Sequence, residues 1–271
     1  MKSLLTVLKE QINSFYLVRR LSLYEVKSQN NNNYLGILWE LINPMIQIAV
    51  YFFVFGFILQ RGDVAPGIKF FPWLIAGMSV WFFLNQGMLQ GTKSVYTRIR
   101  MVAKMSFPMS VIPTYVIIAK FYQHLMLLAA VAIILQFIGF PVSITYIQIP
   151  YYMFAAIVFV FAFSLITSTL ATIVRDVTMV VQSFMRVLIY LTPILWPTNK
   201  LEGHDVIQFI IKLNPLYYIV EGYRSSLLGN PHWFAFEYWH YTLYFWAVVL
   251  VMLLIGSMLH IKFRDHFIDY L

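Results

Sequence analysis

Cysteine is absent from this 271-residue sequence, which excludes disulfide bonds and thiolate metal sites. Charge is also scarce, because only 11% of the residues are charged against about 25% in soluble domains. Hydrophobic residues make up 61% of the chain, and the mean hydropathy is +0.74. Too few polar residues remain to cover a water-soluble globule of this size. The sequence therefore predicts an integral membrane protein.

Catalytic motifs are missing as well. The stretch "GMLQGTKS" at 87–94 departs from a phosphate-binding loop, because Thr92 separates the second glycine from the lysine. The six histidines have no metal-binding spacing, and no serine stands in a G-x-S-x-G turn. We therefore expect neither an ATP site nor a cofactor, metal or catalytic centre in this chain.

Six segments are apolar and long enough to cross a bilayer, which takes about 20 residues. They lie near 37–59, 70–91, 111–138, 149–174, 177–196 and 238–260. An even number puts both termini on one side. With cytosolic termini, twelve Lys and Arg lie inside and five outside, as the positive-inside rule requires. This count explains the basic net charge without nucleic-acid binding.

Residues 1–34 precede the transmembrane domain, which takes up residues 35–271. Leu5, Leu8, Ile12 and Phe15 recur at helical spacing, which predicts an amphipathic helix lying along the membrane surface. The alternative is a solvated cytosolic helix.

The second cytosolic connection, residues 93–107, is basic and ends before Pro108. Its spacing of apolar residues permits a short amphipathic helix that contacts a cytosolic partner. The alternative is a solvated basic loop. The candidate contact residues are Lys93, Arg98, Ile99, Arg100, Val102 and Lys104.

The segment "LNPLYYIVEGYRSSLLGNP" begins at Leu213, between the fifth and sixth spans. Residues 203–229 divide at Asn214-Pro215 into two pieces, each about half a bilayer long. They predict an extracellular re-entrant helical hairpin, or a hairpin lying flat at the interface with its tyrosines as anchors. Pro215 suits a helix start, and Glu221 and Arg224 can pair on one helix face.

Cations, rather than carboxylates, lie inside the spans. None of the eleven acidic residues falls in the middle third of a span, which disfavours an ion-coupled secondary transporter. Lys120 and His124 share a face of the third span, and Arg186 lies near the middle of the fifth. A charge at the bilayer centre costs at least ~2.5 kcal/mol, so it should face a partner or an aqueous path. Alternatively, Lys120 snorkels and His124 is a packed helix residue.

Four stretches together resemble the type-2 ABC export permeases. They are "NNYLGILWELINPMIQIAVYFFVFGFIL", "KMSFPMSVIPTY", "RDV" followed by "LTPILWP", and "LNPLYYIVEGYRSSLLG". The likeness is greatest to the teichoic acid translocation permeases, relatives of the capsule and O-antigen permeases, and it covers nearly the whole chain. It implies an all-α homodimer in the bacterial plasma membrane, with each subunit docked on a separate ATPase that binds ATP and Mg.

The resemblance also implies a cargo and roles for named segments. The cargo is an undecaprenyl-diphosphate-linked anionic polymer, residues 93–107 form the coupling helix, and residues 203–229 belong to the extracellular gate. We expect Lys120, His124, Arg186, Tyr51, Phe52 and Trp81 in the substrate pathway, and Tyr217, Tyr218, Glu221 and Arg224 in the gate. A polytopic lipid-linked glycan transferase is the alternative, but it needs a cluster of catalytic residues at one interface, and the sequence has none.

Overall fold

The computed structural model describes residues 2–31, 34–65, 67–102, 108–198, 203–230 and 233–270. These residues are almost entirely helical. The described strands are β1 (Asp63–Ala65) and β2 (Ile68–Lys69), which pair antiparallel with Asp63 opposite Lys69. The expectation of an all-α membrane protein is confirmed.

The N-terminal segment forms two helices, where the sequence predicts one. α1 (Lys2–Asn13) and α2 (Phe15–Asn30) meet at Ser14. The predicted apolar face, from Leu5 to Phe15, is exposed on the protein surface, whereas Val7 and Val18 are buried against the rest of the chain. An exposed apolar face on a surface helix is what binding to a membrane interface requires.

Four described helical segments are long and apolar enough to span a membrane: Gly36–Ile58, Val111–Phe137, Ile144–Ile173 and Trp239–Phe267. The first contains a short 3₁₀ turn, then α3 (Trp39–Tyr51) and a π-helical segment, Phe52–Ile58. The others contain α5 (Val111–Phe137), α6 (Ile149–Ile173) and α11 (Trp239–Phe263). The predicted number of six spans stays a prediction, and α4 and α7 are the two further candidates.

α4 runs without a break from Phe70 to Val102, a length of 33 residues. The sequence predicts a span ending near residue 91 and a separate helix over 93–107, and this division is wrong for residues 93–102. No proline occurs between Pro72 and Pro108, so nothing removes a backbone donor or forces the helix to end. Ile99, Arg100 and Val102 are described as helical backbone alone, and residues 103–107, including Lys104, lie outside the described residues.

α7 (Val177–Leu191) ends earlier than the predicted span, which reaches residue 196. Thr192 has extended backbone (φ −83°, ψ 126°) and precedes Pro193. A residue before proline is disfavoured in the helical region, so this sequence cannot prolong α7. The chain then continues to α8 (Asp205–Lys212), α9 (Pro215–Leu227) and the short α10 (Phe234–Glu237).

The core of the molecule surrounds α4. This helix packs against α5, α6, α7 and α9, and its first half contributes Leu74, Ile75 and Met78 to the fully buried core. α4 therefore contacts most of the other long helices along its length.

Candidate functional site

The hairpin formed by α8 and α9 turns where the sequence predicts it. Asn214 precedes Pro215 at the start of α9, and its side-chain oxygen accepts a hydrogen bond from the Leu216 amide at 3.0 Å. Its side-chain nitrogen donates to the Thr192 hydroxyl at 2.8 Å. Asn214 thus caps α9 and also ties it to the end of α7.

Arg224 joins α9 to two other parts of the chain. It is 2% exposed and forms the predicted ion pair with Glu221 at 2.5 Å. Its guanidinium also donates to the carbonyls of Trp73 (3.3 Å), Pro193 (2.8 Å) and Ile194 (3.1 Å). A buried charge that is paired and fully hydrogen-bonded is retained in a core at far lower cost than an unpaired one. Arg224 therefore fastens the hairpin to α4 and to the end of α7.

Glycine on α4 makes room for this arginine. The Arg224 guanidinium carbon lies 3.5 Å from the centre of the Trp73 ring. A Cβ atom at Gly77, one turn further along α4, would lie only 2.6 Å from the guanidinium nitrogen Nη2. The hydrogen-bonded position of Arg224 thus depends on the absence of a side chain at residue 77.

Tyr223 connects the hairpin to α5. Its hydroxyl lies 2.9 Å from Nε2 of His124, and Nδ1 of the same imidazole lies 3.2 Å from the Ser79 carbonyl on α4. His124 is at the midpoint of α5, which runs from Val111 to Phe137. The hairpin therefore reaches half-way along a helix that is long enough to span a membrane.

The predicted gate residues lie together on α9, and three of them are buried. Tyr218 is 1% exposed; its hydroxyl lies 2.9 Å from that of Tyr151 and 3.0 Å from that of Thr242. Tyr217 is buried as well, and Glu221 is partly exposed. α9 is thus held inside the protein by α4, α6 and α11.

The opposite end of α4 is tied to the N-terminal helices. Arg98 forms an ion pair with Glu25 of α2, and its guanidinium carbon lies 5.7 Å from the ring centre of Tyr115. Glu10 of α1 pairs with Arg264 at 2.7 Å, and Gln11 donates to the Ser110 carbonyl at 3.0 Å. The first helices and the C-terminal end of α11 consequently lie at the same end of the molecule.

Lys120 lies at the edge of a polar cavity of about 310 Å³ between α3, α4 and α5. Its ammonium group donates to the side-chain oxygen of Gln29 on α2 at 2.8 Å. Glu40, Asn43, Gln86 and His124 are among the other polar residues that line the cavity. Lys120 and His124 share a helix face, as predicted, and the structure gives both of them hydrogen-bond partners.

Comparison with known proteins identifies the family. The ABC-2 type transporter family matches residues 16–228, which is more than half of the chain. The chain belongs to the ABC-2 type transporter family. It is similar to an O-antigen export system permease protein RfbA of Klebsiella pneumoniae, with 24% identity over 241 residues, 89% of this chain and 90% of the relative. It is also similar to RfbA of Myxococcus xanthus, with 21% identity over 201 residues, 74% of this chain and 76% of the relative.

The structure of this ABC-2 transporter chain does not bring all the predicted pathway residues together. Arg186 lies on the exposed side of α7, away from the core. No described contact joins it to Lys120 or His124. Phe52 is 37% exposed, whereas Trp81 is 3% exposed and belongs to the core. Trp81 therefore has little free surface for a polymer. Tyr51 is partly buried and accepts a hydrogen bond from Gln47 at 3.1 Å.

In this ABC-2 transporter chain, several residues that the sequence analysis did not select contact the predicted site residues. Trp73 and Gly77 hold Arg224, Glu25 holds Arg98, and Gln29 holds Lys120. The pairs are separated by 73 or more positions, so no local spacing indicates them. Of these, only Glu25 carries a signal, because it is, with Glu10, one of two acidic residues in an otherwise basic N-terminal segment.

Proposed function

We propose that this chain is the transmembrane permease subunit of an ATP-driven exporter of polysaccharide. Membership of the ABC-2 type transporter family supports this function, and the similar curated proteins are O-antigen export permeases. The cargo proposed is an undecaprenyl-diphosphate-linked wall teichoic acid or a related anionic polysaccharide. The exporter lies in the bacterial plasma membrane.

The observation that carries the proposal is the position of α4. At 33 residues it is about 50 Å long, which exceeds the bilayer's hydrocarbon thickness. Its first turns hold the hairpin through Trp73 and Arg224, and its other end holds α2 through Arg98 and Glu25. A force applied at one end of this helix is therefore transmitted to the hairpin at the other. Residues 93–107 are the proposed coupling segment.

Six spans with cytosolic termini fit this arrangement if α4 and α7 cross the membrane with the four long apolar segments. Glu10 contacts Arg264, so the two ends lie on one side, and the basic residues favour the cytosol. The hairpin then enters from outside. Because Tyr223 reaches His124 at the midpoint of α5, a re-entrant position is favoured over one flat at the interface.

A homodimer accounts for the exposed faces of α3 and α7. Arg186 lies on α7 between exposed apolar residues, Phe184 and Val187 among them. A cation at this depth is costly in lipid, so this face is proposed to border a second copy and an aqueous path. Arg186 would meet the phosphates of the cargo there, and Tyr51 and Phe52 would offer sugar-stacking surfaces.

ATP binding and hydrolysis belong to two separate ATPase subunits in this proposal. Closure of the ATPases would push the coupling segments, move α4 and displace the hairpin, which acts as the extracellular gate. The chain itself supplies the path and the mechanical connection. Lys120, in its polar cavity, is the proposed contact for the anionic cargo at the end nearer α2.

Copurification followed by reconstitution tests the function. The tagged chain should bring down an ATPase subunit, and vesicles containing both should move lipid-linked polymer only with ATP and Mg. Transport by the isolated chain along an ion gradient would identify a secondary transporter. Elongation of the polymer without transport would identify a lipid-linked glycan transferase. Either result would contradict the proposal.

A further inference from the structure

A second, larger cavity lies at the end of the molecule opposite the N-terminal helices. It has a volume of about 760 Å³, is open on one side, and is lined by α8, α9, α10, α11 and the start of α4. This volume falls within the range of about 300–1,000 Å³ that is typical of small-molecule sites. None of the residues predicted for the substrate pathway lines it.

Aromatic rings dominate one part of its wall. Tyr217 and Tyr241 are in edge contact with ring centres 6.1 Å apart, and Tyr241 stacks on Tyr244 at 6.1 Å. Tyr238, which is 50% exposed, and Phe234 also line the cavity. Flat rings of this kind bind the C–H faces of sugar rings, as they bind other apolar surfaces of fixed shape.

Polar groups complete the lining. Glu237 is exposed at the cavity, and no described hydrogen bond or ion pair occupies its carboxylate. The hydroxyl of Tyr241 is buried in the wall and bonds to no described group. This oxygen has almost no accessible surface, so a molecule in the cavity does not contact it, and the exposed carboxylate of Glu237 is the polar group that is open to one.

The charges favour a neutral occupant. Arg224 lines the cavity, but four of its five N–H groups already donate, to Glu221 and to three backbone carbonyls. The lining contains two cations, Lys212 and Arg224, and two carboxylates, Glu221 and Glu237, so its formal charges cancel. An anionic phosphate would meet the carboxylate of Glu237, whereas sugar hydroxyls donate hydrogen bonds to it. An alkyl chain would remove water from the carboxylate of Glu237 without offering it a hydrogen bond.

We propose that this cavity binds one or two neutral sugar rings of a glycan at the outer end of the chain. The rings stack on the tyrosines, and their hydroxyls donate to Glu237. The assignment rests on the proposed function only for the source of the glycan, which is the polymer leaving the exporter. Because Glu221 and Arg224 border the cavity, a bound sugar would contact the hairpin itself.

The test is direct binding to the permease–ATPase complex in nanodiscs, without ATP or cargo. The probes are cellobiose and N,N′-diacetylchitobiose, with the acyclic polyol sorbitol as a negative control, observed by saturation-transfer NMR. We expect a disaccharide to bind with a Kd on the order of 1 mM, as a few such contacts provide. Glu237→Gln and Tyr238→Leu should each weaken binding about tenfold.

Matched controls are Asp63→Asn and Tyr24→Leu, which change exposed residues outside the cavity and should leave the Kd unchanged. The proposal is wrong if neither disaccharide binds, if sorbitol binds equally well, or if binding survives both cavity variants. Binding of a sugar-free alkyl detergent alone would identify a lipid site instead. Because the assay needs no transport, sugar binding without ATP-driven export would contradict only the proposed function, and export without sugar binding would contradict only this site.

Discussion

The guanidinium of Arg224 lies against the ring of Trp73, 3.5 Å from its centre, and donates a hydrogen bond to the carbonyl of the same residue. One residue of α4 thus contacts Arg224 in two ways. With the bonds to Glu221 and to the chain after α7, this contact determines where the hairpin sits. The hairpin can move only with α4 or after these bonds break.

Replacing Arg224 should therefore loosen the hairpin. Arg224→Ala leaves the Glu221 carboxylate and three backbone carbonyls without their hydrogen-bond donor. Breaking a buried ion pair of this kind lowers the free energy of unfolding by about 3–5 kcal/mol. Arg224→Lys should also destabilise the protein, because an ammonium lacks the planar fork of donors. The measurement is thermal unfolding of the purified protein in nanodiscs, with Arg186→Lys as the control for an exposed arginine. An Arg224→Ala protein as stable as the parent would contradict this role.

Gly77 should couple energetically to Arg224. Gly77→Ala introduces a Cβ at 2.6 Å from Nη2, so the arginine must leave its hydrogen-bonded position and stability should fall by at least about 1 kcal/mol. In an Arg224→Ala background the same change has no guanidinium to displace and should be neutral or stabilising by up to about 1 kcal/mol, because alanine favours a helix interior. A double-mutant cycle measures this difference. Simple additivity of the two substitutions would show that they act independently.

Asn214 makes both the cap of α9 and a bond to α7. Asn214→Asp keeps an oxygen for the Leu216 amide and can hold Thr192 only by accepting from its hydroxyl, whereas Asn214→Ala removes both bonds. The alanine variant should lose roughly 1–2 kcal/mol of stability and the aspartate variant less. Thermal unfolding should give the order parent, Asp, Ala. Equal losses in the two variants would mean that the cap contributes nothing measurable.

Local features of the hairpin were predictable from the sequence, whereas its anchoring was not. The start of α9 at Pro215 and the pairing of Glu221 with Arg224 depend on neighbouring residues, and both predictions are confirmed. The bond from Arg224 to Trp73 joins residues 151 positions apart, and no periodicity in the sequence indicates it.

The ends of α4 and α7 both differ from the ends of the predicted spans, and the two differences have a common cause. Hydropathy indicates where a segment leaves the apolar region, but it does not indicate where a helix ends. α4 continues through polar residues because no proline interrupts it, and Thr92 and Ser94 direct their hydroxyls to carbonyls of the preceding turn. α7 ends within an apolar stretch because Pro193 follows Thr192. The absence of proline in one case and its presence in the other therefore determine where the two helices end.

The ion pair between Glu25 and Arg98 should contribute to coupling between α2 and α4. Both side chains are partly exposed, at 17% and 19%, so the pair should contribute only about 1 kcal/mol or less to stability. Glu25→Arg should lower ATP-dependent export by placing two cations together, and the swap Glu25→Arg with Arg98→Glu should restore it. Rescue by the swap separates this pair from direct contact of Arg98 with an ATPase, because the swap removes Arg98 and would lose that contact, whereas Glu25→Arg alone keeps it.

Arg186 tests the proposed path most directly. Its side chain is exposed on α7, so its removal should leave the fold intact and thermal unfolding unchanged. If it meets phosphate, Arg186→Ala should lower polymer-stimulated ATPase activity several-fold, and Arg186→Lys should retain part of the stimulation because the charge remains. Arg175→Ala, at an exposed arginine just before α7, is the matched control. Stimulation that is unchanged in Arg186→Ala would remove this residue from the path, and the exposed cation would then need a partner on the second copy.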